Sequence, residues 1–243
     1  MIIKKIKFAT FVLSGLLLTN VLYGAAESST YQSGTYTGLL FGYSGMNSTV
    51  KEGNYIPGNT NGSGKSTKLD SGIVGEALLG YRHFFEGQTL LGFELGFSLD
   101  NNEVTQITNI NSNGYTSSTK YKAPFKFTPA FVFGKQLTHD FLGFIKLGMS
   151  ISQFKGTHFL KRNGNTSDLE NFKTTRNGFM CAVGGEYALN ERFSTLGILS
   201  YESFAKIHNT YEDPSGGAVI GSNNIAALKP EYITAKVGVV YRF

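Results

Sequence analysis

Cysteine occurs once in this chain, at Cys181. A lone thiol can form neither an internal disulfide nor a cysteine-rich metal site. Tryptophan is absent, and only 16% of residues are charged, against roughly 25% in soluble domains. Long apolar runs are missing as well. After the first two dozen residues no stretch reaches the ~18 continuous apolar residues of a membrane helix. Mean hydropathy is −0.10, far from the strongly apolar value of a helical membrane bundle. An excess of positive charge is also missing from most of the chain. The formal +5 includes Lys4, Lys5 and Lys7, and without these the count is 19 basic against 17 acidic residues. So balanced a chain has no electrostatic basis for binding nucleic acid.

Residues 1–26 have the layout of a cleaved secretory signal peptide. The three early lysines form its basic region, Phe8 to Leu18 its short apolar run, and Gly24-Ala25-Ala26 its small-residue cleavage site. The run is too short to cross a bilayer as a helix, which takes ~20 residues. Cleavage is expected after Ala26, with Gly24 as the alternative. Residues 27–33 form a short N-terminal segment, and 34–243 a single domain.

That domain is rich in glycine (30), phenylalanine (20) and tyrosine (13). Eight stretches alternate with period two, the signature of strands: 34–46, 71–85, 89–100, 121–136, 141–155, 176–189, 192–205 and 230–243. In the third, Leu91, Phe93, Leu95, Phe97 and Leu99 oppose Gly92, Glu94, Gly96, Ser98 and Asp100. The last sets Ile233, Ala235, Val237, Val239, Tyr241 and Phe243 against Thr234, Lys236, Gly238, Val240 and Arg242. The seventh is the least regular, because Leu196 and Ile198 share a face with Glu202. Ten residues rise ~33 Å. At a tilt of about 40° they cover the ~25 Å apolar band of a membrane barrel.

The distribution of polarity separates the β folds. One face is large, aromatic and almost uninterrupted. The other holds Gly, Ser and Thr with isolated charges: Glu76, Arg82, Glu94, Lys126, Lys146, Glu186, Glu202, Lys236 and Arg242. A soluble sheet would carry more surface charge, especially lysine on its edges. Lipid accepts rows of exposed phenylalanine that water would not. The pattern therefore predicts an all-β fold, an eight-stranded antiparallel up-and-down transmembrane β-barrel. The charged face points into an interior just wide enough for packed side chains, so its charges must pair. Aromatic girdles are expected near Tyr81, Phe85, Tyr187, Phe193, Tyr241 and Phe243 at one rim, and near Tyr43, Phe97, Phe125, Phe179 and Tyr201 at the other.

The connections alternate in length. Those near Glu86-Gly87-Gln88, Thr138-His139-Asp140 and Asn190-Glu191 are tight, while the other four run about 20 to 25 residues. Short periplasmic turns and long outer loops produce this alternation. It predicts both termini on the periplasmic side and four mobile, solvated loops such as 109–118.

On these features the chain resembles the small outer-membrane barrel family of opacity-type surface antigens and OmpA/OmpX-like eight-stranded barrels. The ending Val239-Val240-Tyr241-Arg242-Phe243 is similar to that family's assembly signal, carried by Tyr241 and Phe243. The resemblance covers the whole domain and names an architecture. It implies a Gram-negative outer membrane, insertion by the barrel-assembly machinery, and contact with membrane lipid and lipopolysaccharide. It further implies a role as surface antigen, adhesin or structural component, with host or environmental surfaces as ligands.

Specific chemistry is sparse. Gly62-Ser63-Gly64-Lys65-Ser66-Thr67 looks like a phosphate loop, but the first glycine of that motif falls on Asn59, and no strand–loop–helix context surrounds it. A lipid-modifying enzyme would need a histidine beside a serine or carboxylate at the outer rim. His158 and His208 begin outer loops with Ser152, Glu202 and Ser203 nearby, in no motif spacing, whereas His83 and His139 belong to the other end. The third loop and its flanks carry Lys155, Lys161, Arg162, Lys173 and Arg176 against Asp168 and Glu170. These cations fit lipopolysaccharide phosphates or acidic glycans. No catalytic, cofactor or metal set is recognisable. The expectation is a non-enzymatic surface protein, with a lipid-modifying enzyme or a small-solute pore as alternatives.

Overall fold

In a computed structural model, residues 31–51, 65–86, 88–110, 115–162, 165–209 and 226–243 are described. The expected signal segment at 1–26 and the near-miss phosphate loop around Gly62 lie outside them.

The described chain forms β1 (Gly34–Lys51), β2 (Lys65–Phe84), β3 (Thr89–Asp100), β4 (Glu103–Ile110), β5 (Tyr115–Lys122), β6 (Phe125–Gln136), β7 (Phe141–Arg162), β8 (Asn165–Ala188), β9 (Phe193–Phe204), β10 (Ile207–Asn209) and β11 (Ala226–Arg242). Eight of these, β1, β2, β3, β6, β7, β8, β9 and β11, are the barrel staves. Every neighbouring pair is antiparallel, and β1 closes the ring against β11. No helix among the described residues is long and apolar enough to cross a membrane. The spanning structure is a closed antiparallel β-barrel.

Closure and period-two geometry decide the faces. Phe41, Ile73, Phe93, Leu99, Phe131, Phe179, Val183 and Val237 are exposed on the outer wall, Val237 to 69%. The intervening residues are buried inside. Leu196 and Ile198, which blur the alternation of the seventh strand, point inward with Glu202. There they join Leu40, Leu78, Leu90, Val132, Leu142, Phe144 and Val240 in an apolar core near the tight turns. A second interior cluster fills the opposite end: Met46, Val104, Tyr121, Ala123, Phe154, Phe204, Ile207 and Tyr232. The barrel is therefore packed at both ends, with charged residues between.

Two local devices fit a crowded lumen. Tyr36 lies directly across the ladder from Gly80, and Phe144 from Gly184. A Cβ at Gly80 would come within 2.5–2.7 Å of the Tyr36 ring, so glycine is required there by close approach. Pro129 sits mid-strand in β6 without an N–H to donate. The β6–β7 register lapses at Thr128 and Pro129, and the hydroxyls of Thr128 and Ser150 meet at 3.3 Å instead.

The second and third connections correct the expectation of mobile loops there. β7 and β8 pair from Phe141↔Tyr187 to Arg162↔Asn165 with one register shift between His158 and Phe159, so the third connection is almost entirely hairpin. The second folds into β4 and β5, with Asn109 paired to Thr116. These segments lack apolar alternation because they have no lipid to face. They form strands because ladder pairing satisfies their backbone groups.

The extensions also divide. Beyond the apolar belt β5 leaves β6 at Ala123-Pro124 and continues along β7, giving an outer sheet in the order β4-β5-β7-β8. A second outer sheet runs β2-β1-β11-β10. No ladder joins β2 to β4 or β8 to β10 among the described residues. The barrel wall thus parts into two blades above its aromatic plug.

Gly80→Ala should destabilise the barrel by about 1–3 kcal/mol through overpacking. In a Tyr36→Ala background the same change should cost little. A double-mutant cycle on urea midpoints of the detergent-folded protein checks this; additive effects would reject the ring–glycine contact.

Candidate functional site: the charged lumen and the outer rim

Alternation assigned nine charged residues to one face, and all nine are buried within the lumen: Glu76, Arg82, Glu94, Lys126, Lys146, Glu186, Glu202, Lys236 and Arg242. Asp100, on the same face of β3, joins them. Among the described side chains, the interior set is then five carboxylates and five cations.

They assemble in tiers. Nearest the turns, Arg82 Nη1 and Nη2 donate to Glu186 Oε2 and Oε1 at 2.8 and 3.4 Å, and Ser194 Oγ donates to Glu186 Oε1 at 2.5 Å. The Arg82 guanidinium also lies 5.3 and 5.0 Å from the Tyr31 and Tyr36 ring centres. In the middle, Lys146 pairs with Glu94, which also accepts from Tyr36 Oη at 3.0 Å. Lys236 pairs with Glu76 at 2.5 Å, and Ser98 Oγ donates to the same carboxylate at 2.7 Å. Beneath the outer plug, Lys126 reaches Glu202 at 3.1 Å and Asp100 at 3.3 Å. Its ammonium sits 4.2 Å from the Tyr232 ring centre. Ser44 Oγ donates to Asp100 Oδ2 at 2.7 Å.

Lys126 and Asp100 stand on the neighbouring staves β6 and β3, but every other pair skips at least one stave. Arg82 and Glu186 stand on β2 and β8, on opposite sides of the eight-stave ring, and Lys126 and Glu202 on β6 and β9. The pairs are therefore ties across the lumen. Arg242 differs. It donates from Nη2 to the Asn190 carbonyl and its guanidinium lies 5.0 Å from the Tyr31 ring centre, while Nε and Nη1 have no hydrogen-bond partner.

Tyr31 is the contributor that alternation could not locate, because it precedes β1. Its hydroxyl donates toward the Glu186 and Asp140 carbonyls at 2.8 and 3.1 Å, closing the turn end. Two interior cavities measure about 10 and 20 Å³, each room for about one water molecule.

Two of the candidate catalytic groups are engaged in structural bonds. Glu202 is committed to Lys126, and Ser152 Oγ donates to the Phe125 carbonyl at 2.8 Å. His158 lies at a ladder position opposite Thr119 and Glu170, and His208 opposite Ala227. No group of three metal-capable side chains occurs among the described residues. At the C-terminus, Tyr241 stacks edge-on with Phe193 and Phe243, their ring centres 5.2 and 5.1 Å apart. The Phe243 amide donates to Thr35 O at 3.2 Å, and the residue is 75% exposed at the turn-end rim.

Above the outer belt, Glu103 accepts from Lys120 at 2.9 Å and Lys122 at 2.5 Å. These hydrogen bonds from the two ammonium groups lower the Glu103 carboxyl below its ordinary value. A depressed carboxyl stabilises the fold above its unfolded value and loses that contribution as pH falls through the folded one. Protection factors in the β4–β5 hairpin, taken relative to the intrinsic exchange rate at each pH, should therefore fall in acid, and Glu103→Gln should abolish that fall. Unchanged acid sensitivity in the variant would reject the tie. In the lumen, Lys126→Met strands two buried carboxylates and should cost about 3–5 kcal/mol, read as a lowered unfolding midpoint. A cost near zero would show that the tie is unimportant.

The sequence matches no family model and no curated protein. Among solved structures, the outer membrane protease OmpT from Escherichia coli superposes with a TM-score of 0.52 at 10% identity, over 90% of this chain and 99% of that one. Ail, the attachment invasion locus protein of Yersinia pestis, gives 0.32 at 16% identity over 86% and 99%. Neisserial surface protein A gives 0.35 at 10% identity over 84% and 97%. At these identities the likeness is one of fold, and the fold this chain shares is that of the outer-membrane β-barrels.

Proposed function

We propose that this protein is a non-enzymatic surface protein of a Gram-negative outer membrane. Its barrel is a closed platform, and its two outer blades are the contact surface. The observation that carries this reading is the inversion of polarity: an aromatic and aliphatic outer wall around ten buried charges. Only a hydrocarbon surround makes that arrangement favourable. The cross-lumen ties and the small cavities support a platform in preference to a pore, since eight strands leave no aqueous channel by default. Commitment of Glu202 and Ser152 to structural bonds supports a non-enzymatic role. In this reading the tight turns and both termini face the periplasm, Phe243 is presented to the assembly machinery, and the blades meet lipopolysaccharide and external surfaces.

An epitope inserted at 163–164, between β7 and β8, should be reached by antibody on intact cells. One inserted beside Glu191 should be reached only after the outer membrane is opened. The folded protein should run as a heat-shifted band on gels of purified outer membranes. Recovery in the soluble fraction without that shift would overturn the membrane reading. Deleting the β7–β8 extension beyond Lys155 should keep the shift while removing surface adhesion. Steady conductance in planar bilayers would favour the pore instead.

A further inference from the structure

The register aligns lysines from three adjacent strands. Lys122 of β5 is the ladder partner of Lys155 of β7, and Lys155 of Lys173 of β8. All three are exposed. Their parity places them on the outer wall with Gln153, Met149, Thr175 and Phe179, which are also exposed. Lys126 pairs with Ser152, so Phe125 stands at the level of Gln153. The lysine row is the next outward position up, ~7 Å farther along the strands. With strands ~4.8 Å apart, the three stems span about 10 Å.

Like charges directly opposite one another in a sheet are destabilising, and this row has two such pairs in succession. Glu103 touches Lys122, but no carboxylate among the described side chains lies within ion-pair distance of Lys155 or Lys173. The row is thus an electrostatic defect unless an anion fills it. Directly beneath, the same wall offers Gln153 and Thr175 as hydrogen-bonding groups, then Met149, Ile151 and Phe179 as apolar surface. Cations, polar groups and hydrocarbon follow in that order along one strip.

We propose that Lys122, Lys155 and Lys173 seat the phosphate groups of an outer-leaflet lipid whose acyl chains lie on Met149, Ile151 and Phe179. The proposal rests on the outer-membrane reading and names one partner within it. The lipid supplies the missing anion and covers the apolar strip at once, which a soluble acidic glycan would not do.

The test uses the full barrel folded into phosphatidylcholine vesicles, with bisphosphorylated lipid A, with dephosphorylated lipid A, or with neither. A heat-shifted band in phosphatidylcholine alone establishes insertion. Failure at that step refutes the membrane reading on which the proposal depends, and so overturns both. Given insertion, bisphosphorylated lipid A should raise the unfolding temperature and co-purify with the barrel, and the dephosphorylated form should do neither. Each basic residue near an anionic surface contributes about fivefold, so Lys155→Gln with Lys173→Gln should retain on the order of 20-fold less lipid A. The same pair of changes at Lys135 and Lys206, exposed elsewhere, should leave retention unchanged. Equal retention by the two double variants, equal response to both lipid A forms, or equally tight binding of soluble heparin without lipid would overturn the proposal.

Discussion

In hydrocarbon, a backbone N–H or C=O without a partner has no water to fall back on, at a cost of several kcal/mol. Everything else in this protein follows from that constraint. The ladder must close, and β1 does so against both β2 and β11. Closure on eight staves makes a narrow lumen, and period two then sends alternate side chains into it. Tyr36 over Gly80 and Phe144 over Gly184 are consequences of that narrowness: large rings fit only where the facing position is empty. The same logic explains the lapse at Pro129, where a missing donor is accommodated by opening the ladder locally.

Charges enter this lumen at a price in desolvation that only close pairing offsets. Five carboxylates and five cations achieve neutrality, and serine and tyrosine hydroxyls occupy further lone pairs. Because all of these pairs but Lys126–Asp100 connect non-adjacent staves, they brace the barrel across its bore, where ladder hydrogen bonds cannot reach. The apolar clusters at each end keep water from competing for them. A sealed, braced barrel suits the platform role proposed above.

Above the belt the constraint relaxes. Water can satisfy an open strand edge, so the wall parts into two blades and the ladder need not close. The seams between β2 and β4 and between β8 and β10 occur only there. The lysine row lies at this boundary, where the outer wall passes from hydrocarbon to headgroup.

Alternation by itself determined the eight staves, the inward and outward faces and nine of the ten lumen charges. It works because lipid, lumen and a two-residue period impose the same rule on every strand. Asp100 was equally legible, standing in the same alternating run as Glu94. The C-terminal Tyr241 and Phe243 were legible for the same reason, as the last outward positions of the last strand. Tertiary structure decided the remainder. Which carboxylate meets which cation depends on strand stagger around the ring, as with Arg82 and Glu186, 104 positions apart. Tyr31 lies outside any period, and only folding brings it under the lumen. The blades were hidden because their strands face water on at least one side, so their sequence is free to be polar. The row of Lys122, Lys155 and Lys173 exists only through register, since cross-strand neighbours are set by hydrogen bonding and are not encoded in the spacing along the chain.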